Sequence, residues 1–303
     1  MSAAPKPSAA WPPGGPSRAA GGLLGVAGGE AFAEQAYGDR TFIAALLNGG
    51  AWPPTGPSGH SDPVGAGPPG TAGGVVAPSC GANGPLTQAL VDLADSYVLR
   101  RGHGVPVDVA VKHEGVPTPA WLLAVAVVRS NSRELIADTL ELANAAGVPS
   151  RALGDCVAYV ELAAGLFAGR PAAAAIETAT GNGRRHCTAP ALQAAPALCG
   201  EGAVDALTAG IWALSQPGGI AEVMPALAAV TTPGVGAAAA GLLGLRDGSA
   251  SMPTHWQSRL RSAPECLALA PGLVRARCRG HQLHRQVDTS GSPCVHGVVA
   301  GVR

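Results

Sequence analysis

Charge is scarce in this chain. Asp, Glu, Lys and Arg together make up 13% of its 303 residues, and the formal net charge is zero. That excludes the global basic excess of a protein that lives on nucleic acid or anionic lipid. Aromatic residues are scarcer still, at 4%. The core must therefore be built from Ala, Leu and Val, which suits closely packed helices better than stacked sheets. Long hydrophobic runs are missing too. Pro225–Leu245 comes nearest, but it is Ala-rich and broken by Thr231, Thr232 and Pro233, so no membrane partner is expected. The opening MSAAPKPSAAWPPGGPSRAA has no apolar h-region and is interrupted by Pro throughout, unlike a secretory leader. Seven cysteines, an odd count spread from Cys80 to Cys294, argue against a disulfide scaffold and for reduced thiols in the cytoplasm.

What is abundant is punctuation: 43 Gly and 27 Pro, mostly in clusters. Residues 1–20 read as a disordered Pro/Ala tail, and 48–85 as a long flexible loop. Between the breakers, apolar residues recur at helical spacing. The pattern predicts helices over Leu23–Leu47, Thr87–Arg101, Ser132–Ala146 (Ser132 as N-cap, Gly147 as stop), Ser150–Ala168, Val204–Leu214, Ile220–Val230 and Ala237–Leu245. Trp121–Val128 is a short apolar run, and no strand pattern stands out. The fold class is all-α, an orthogonal multi-helix bundle of roughly eight to ten helices. Periodicity fades after Leu260, so residues 266–303 read as a disordered tail behind a helical domain at 21–265.

Isolated motifs carry little chemistry. Gly65–Gly74 is Gly-rich but lacks the Gly-Lys-Ser/Thr of a phosphate loop. The Thr180–Arg185 turn, TGNGRR, reads as a solvated turn. In the tail, Cys278, His281, His284, Cys294 and His296 are zinc-type ligands without the C-x-x-C pairs of strong zinc motifs. Arg275, Arg277, Arg279 and Arg285 interleave with them, and a solvated basic tail is the preferred reading. His60, His103 and His255 read as surface or packing residues.

Three segments in order carry a family signal. Gly21–Ala33, GGLLGVAGGEAFA, resembles an opening signature G-x-L-L-G-x-A-x-G-D-A-x-G, with Glu30 at the Asp position and Ala33 at the last Gly. Thr87–Ser96, TQALVDLADS, is similar to the helix after a T-D-D-T motif. Ala203–Leu260, with Trp212-Ala213-Leu214 and Gly248–Trp256 (GSASMPTHW), resembles a C-terminal part built around G-G-D-x-D-T. Together they resemble the ADP-ribosylglycohydrolase family (the DraG-like, crystallin J1 group) over about 20–260. The resemblance implies a helical fold and, in active members, two Mg²⁺ ions that cleave a bond to ADP-ribose. Mg²⁺ needs carboxylate and water oxygens around it.

Those carboxylates are where the chain departs from the family. In register with the two Asp motifs stand Pro85, Leu86, Thr231 and Pro233. Pro and Leu offer no side-chain oxygen, so no metal cofactor is expected. The resemblance places Glu30, Tyr37 and Glu114 in the ligand-binding cleft, with Glu34 and Asp39 nearby. An acid at a helix terminus is more often a capping or dipole partner than a catalyst, and no catalytic residue is assigned to Glu30 or any other position. The expectation is a non-catalytic relative that binds an ADP-ribose-like small molecule or a partner protein, with no nucleic acid or membrane. Two alternatives stand beside it. One is an active hydrolase with ligands at Asp92, Asp95 or Asp205. The other is a structural protein whose cleft is plugged by Tyr37, Leu86 and Trp121.

Overall fold

A computed structural model describes residues 14–38, 84–116, 119–181, 203–228 and 231–289. Among the described residues all regular structure is helical. The elements are α1 (Gly15–Gly38), α2 (Pro85–Leu99), α3 (Val107–Lys112), a 3₁₀ turn (Pro119–Leu122) running into α4 (Leu123–Val128), α5 (Ser132–Ala145) and α6 (Ser150–Phe167). There follow α7 (Ala172–Thr180), α8 (Ala203–Ser215), α9 (Ile220–Ala228), α10 (Pro233–Asp247), a 3₁₀ turn (Ser249–Ser251), α11 (Thr254–Gln257) and α12 (Ala263–Thr289). No helix is long and apolar enough to cross a membrane among the described residues.

Two helices that lack a polar face form the centre, as helices apolar all round must. Residues Gly234–Leu245 of α10 are all buried, and so is most of α1 from Ala19 to Glu30. They lie antiparallel with their backbones in contact, because small residues recur every fourth position on both. Gly21 faces Gly244, Gly25 faces Ala240, and Gly29 faces Gly236. A Cβ at Gly21 or Gly25 would collide with the carbonyl oxygen opposite, and one at Gly29 would come within 2.6 Å of the Ala240 Cβ. Glycine is required here for close approach.

Polar anchors tie other helices to this pair and to one another. Tyr159 of α6 donates to the Ala238 carbonyl at 3.0 Å. Arg18 donates to the Leu166 and Phe167 carbonyls at the end of α6. Arg277 of α12 donates to the Ala126, Val127 and Arg129 carbonyls, closing the end of α4, and stacks over Phe167. Arg129 forms a buried pair with Asp138 at 2.6 Å, and Tyr97 adds a hydrogen bond to the same carboxylate oxygen.

Several boundaries differ from the sequence reading. The chain is helical from Gly15, not disordered to residue 20, since Ala19 and Ala20 pack in the core and Arg18 is anchored. The N-cap of α5 is Asn131, whose side chain accepts from the Arg133 N–H, rather than Ser132. The domain does not end at 265. Helix α12 runs to Thr289 and buries Cys266, Ala270, Leu273, Val274 and Ala276. Twelve α-helices stand among the described residues; the excess over the sequence reading comes mainly from one- and two-turn pieces. The 48–83 part of the long loop, the 182–185 part of the TGNGRR turn, and Cys294 and His296 lie outside the described residues, as do the side chains of His281 and His284.

Candidate functional site

The Gly ladder sets the register of α1 against α10, and two distant segments, the starts of α10 and α2, meet at one turn of α1. A Cβ at Gly236 would lie 3.0 Å from the Ala33 Cβ and 3.6 Å from both the Gly29 carbonyl and the Thr231 hydroxyl. The start of α10 therefore flanks Glu30. The start of α2 meets the same turn, through Glu30 itself. One carboxylate oxygen accepts from the Leu86 N–H at 2.9 Å, and the other from the Thr87 N–H at 2.8 Å and the Thr87 hydroxyl at 2.5 Å.

Glu30 thus caps α2 from another helix. The first N–H groups of a helix lack intrahelical partners, and the chain supplies no local cap: Gly84 has no side chain and Pro85 follows it. Gly84 is itself required, since any Cβ there would strike the Glu30 carboxylate. Burial pushes the Glu30 carboxyl above the ordinary range, against the lowering effect of its three donors. Glu34, one turn on and partly buried, is also raised, first by burial and then by the charge of Glu30.

Helix α10 begins differently. Thr232 holds the N-cap position with extended backbone, but its hydroxyl makes no capping bond. The residue is 6% exposed, and its Oγ1 is buried without a hydrogen-bond partner among the described residues. Thr231 is buried as well, and its hydroxyl donates to the Leu227 carbonyl at 2.8 Å. The sequence reading began this helix at Ala237 and missed Thr232. The Thr-Pro pair, with Pro at the first helical position, is the signal that marks the true start.

These groups do not fit a pair of Mg²⁺ ions. Leu86 is buried apolar surface, and Pro85 and Pro233 have no side-chain donor. The Thr231 hydroxyl is engaged, and the Glu30 oxygens face N–H donors. No group of three or more His, Cys, Asp and Glu stands where it could hold a metal among the described residues. Two helix N-termini lie here instead: that of α2 already holds the Glu30 carboxylate, and the positive end of α10 favours an anion over a cation.

Of the residues assigned to a ligand, the structure brings Glu30 to this place. Tyr37 lies in the last turn of α1, and its side chain falls outside the described residues. Glu114 stands exposed beyond α3 with its side chain against the Gly147 turn that ends α5. Asp92 is held by Lys112, His113 and Gln88. Asp95 is exposed, and the Asp205 side chain falls outside the described residues. On the far side of α1, Phe32 stacks on Trp256 at 5.3 Å between ring centres, so the GSASMPTHW segment does pack against the opening signature.

The described residues define an all-α protein organised on a central antiparallel pair, with the starts of α2 and α10 meeting one turn of α1. That architecture is known. Six chains of solved structures match it. One, described as an ADP-ribosylglycohydrolase-related protein complex, aligns over 88% of this chain and 99% of its own, with a TM-score of 0.61 and 21% identity. The likeness is therefore one of fold, the ADP-ribosylglycohydrolase-type helical fold. No protein-family model matches the chain, and neither does any curated protein.

Proposed function

We propose that this chain is a non-catalytic relative of the ADP-ribosylglycohydrolases that binds an ADP-ribose-like ligand at the junction of α1, α2 and α10. The observation that carries this is the employment of Glu30. The carboxylate nearest the junction is committed to capping α2, and what remains there are the start of α10 and the unpartnered Thr232 hydroxyl. Such donors suit a diphosphate or ribose oxygen and cannot replace the hydration shell of a divalent cation. A general base alone gives about 10²–10⁴-fold, far below enzymatic acceleration. The displaced-ligand alternative is weakened by Asp92, which already has a lysine and a histidine as partners. The filled-cleft alternative keeps one observation in its favour: Leu86 and Trp121 are both buried.

The test has two arms. Purified protein with Mg²⁺ is expected to release no ADP-ribose from an ADP-ribosylated arginine or serine peptide. Calorimetric titration with ADP-ribose is expected to show saturable binding that weakens in Thr232→Val. EDTA-sensitive turnover revives the hydrolase. No binding in wild type favours the filled cleft.

A further inference from the structure

A second candidate site lies at the other end of α2. That helix has 15 residues, so at 1.5 Å per residue its last turn is about 22 Å from the Glu30 cap. There α2 crosses α12 closely. A Cβ at Gly272 would come within 2.8 Å of Val98, and one at Gly102 within 2.9 Å of the Ala276 carbonyl. Beside the crossing is a cavity of about 250 Å³ lined by Val98, Leu99, Gly272 and Ala276 and by three arginines, Arg101, Arg275 and Arg279.

Two independent features set these arginines apart. First, none of the three has an ion pair or hydrogen bond from its side chain among the described residues, whereas Arg100 beside them is paired with Asp108 and Arg277 is spent on backbone carbonyls. Arg275 and Arg279 are four residues apart and share a helix face. Second, Arg101 has φ 55, the one left-handed residue other than glycine among the described residues. Helix α2 ends in a Schellman turn, with Gly102 N–H to the Tyr97 carbonyl and Arg101 N–H to the Val98 carbonyl. Arg101 holds the position in that turn where glycine is the usual residue. The strain is retained at the position that puts a third guanidinium on the cavity, and strain of this kind clusters at ligand sites.

We propose that this cavity binds a small phosphorylated molecule, with Arg101, Arg275 and Arg279 on the phosphate oxygens and the exposed Leu99 and Val98 against the non-polar part. Guanidinium groups match phosphate geometry. A water takes about 30 Å³ of liquid, so a volume of about 250 Å³ has room for roughly eight groups of that size, enough for a diphosphate ester.

The full-length protein should be titrated with inorganic pyrophosphate and with inorganic phosphate by calorimetry at low and at physiological salt. Saturable binding is expected, tighter for pyrophosphate and weakened by salt. Arg275→Gln and Arg279→Gln should each weaken it about tenfold, and Arg151→Gln, at an exposed arginine outside the cavity lining, should leave it unchanged. Arg101→Gly is the sharpest variant. It should weaken binding while raising the melting temperature by about 2–4 °C, because glycine relieves the left-handed strain. A purely structural Arg101 would instead lower it. Absence of binding at low salt overturns the proposal, and so does binding that neither Arg275→Gln nor Arg279→Gln weakens. If single-stranded RNA or vesicles of anionic lipid bind more tightly than pyrophosphate through the same arginines, the small-molecule assignment is overturned.

Discussion

Replacing Glu30 tests the junction most directly. Glu30 is 2% exposed, and its carboxylate accepts from two backbone N–H groups and one hydroxyl. Glu30→Ala leaves both N–H groups buried without acceptors, at about 1–3 kcal/mol each. Removing a buried carboxylate, and its repulsion of Glu34, offsets part of that cost. A net loss of about 2–4 kcal/mol is expected, which lowers the melting temperature by roughly 4–16 °C. Glu30→Gln keeps one acceptor and turns its amide NH₂ toward a donor, so it should lose about 1–2 kcal/mol. Gln does not titrate, and this gives a second readout. The folded-state pKa of Glu30 is raised above its unfolded value because burial outweighs its donors. The stability this group contributes is therefore fully present below the unfolded value and is lost as pH rises through the higher folded value. The stability gap between wild type and Glu30→Gln should widen as pH falls from 7 toward 5. Chemical denaturation of both proteins at several pH values measures it. An alanine variant as stable as wild type, or a gap that narrows in acid, would refute the reasoning.

Gly25→Ala should push α1 away from α10, because its Cβ meets the Ala240 carbonyl; a loss of about 3 kcal/mol, read by urea unfolding, is expected. Arg129→Leu leaves the Asp138 carboxylate buried without its cation and should cost about 3–5 kcal/mol in the same measurement. Cys156 and Cys266 are buried thiols pushed up to about 12, by burial above all. Mass spectrometry should find both unalkylated by iodoacetamide at pH 8 in the native protein and both modified in urea. Millimolar Mg²⁺ should leave the melting temperature unchanged. A rise of several degrees, absent with Ca²⁺, would mean that a metal binds the native state.

How much was legible follows from where each signal resides. The helical class was open to reading from apolar spacing, but the central pair was not read: helices begun at Leu23 and Ala237 leave out Gly21 and Gly236, and the small-residue spacing of GGLLGVAGG and GVGAAAAGLLG shows its use only when the two segments face each other. The role of Glu30 was half legible. An acid near a helix terminus suggests capping, but the helix it caps begins 55 residues later, and only tertiary structure joins them. Thr232 had a local sign in the following Pro233, but its unpartnered hydroxyl depends on neighbours that no local pattern specifies.

Helix α12 was hidden for a more specific reason. Its buried stripe, Cys266, Ala270, Leu273 and Val274, follows helical spacing and should continue near position 277. Arg277 stands there. The residue looks like the start of a solvated basic tail, yet its guanidinium closes the carbonyl end of α4 and lies over Phe167. A long cationic side chain can extend an apolar face when its head reaches acceptors that need a donor. Hydrophobic periodicity counts such a position as polar and ends the helix too soon. The same misreading concealed the difference among the arginines of this segment: Arg277 is anchored to backbone, while Arg275 and Arg279 on the adjoining face are exposed and make no ion pair or hydrogen bond from their side chains among the described residues.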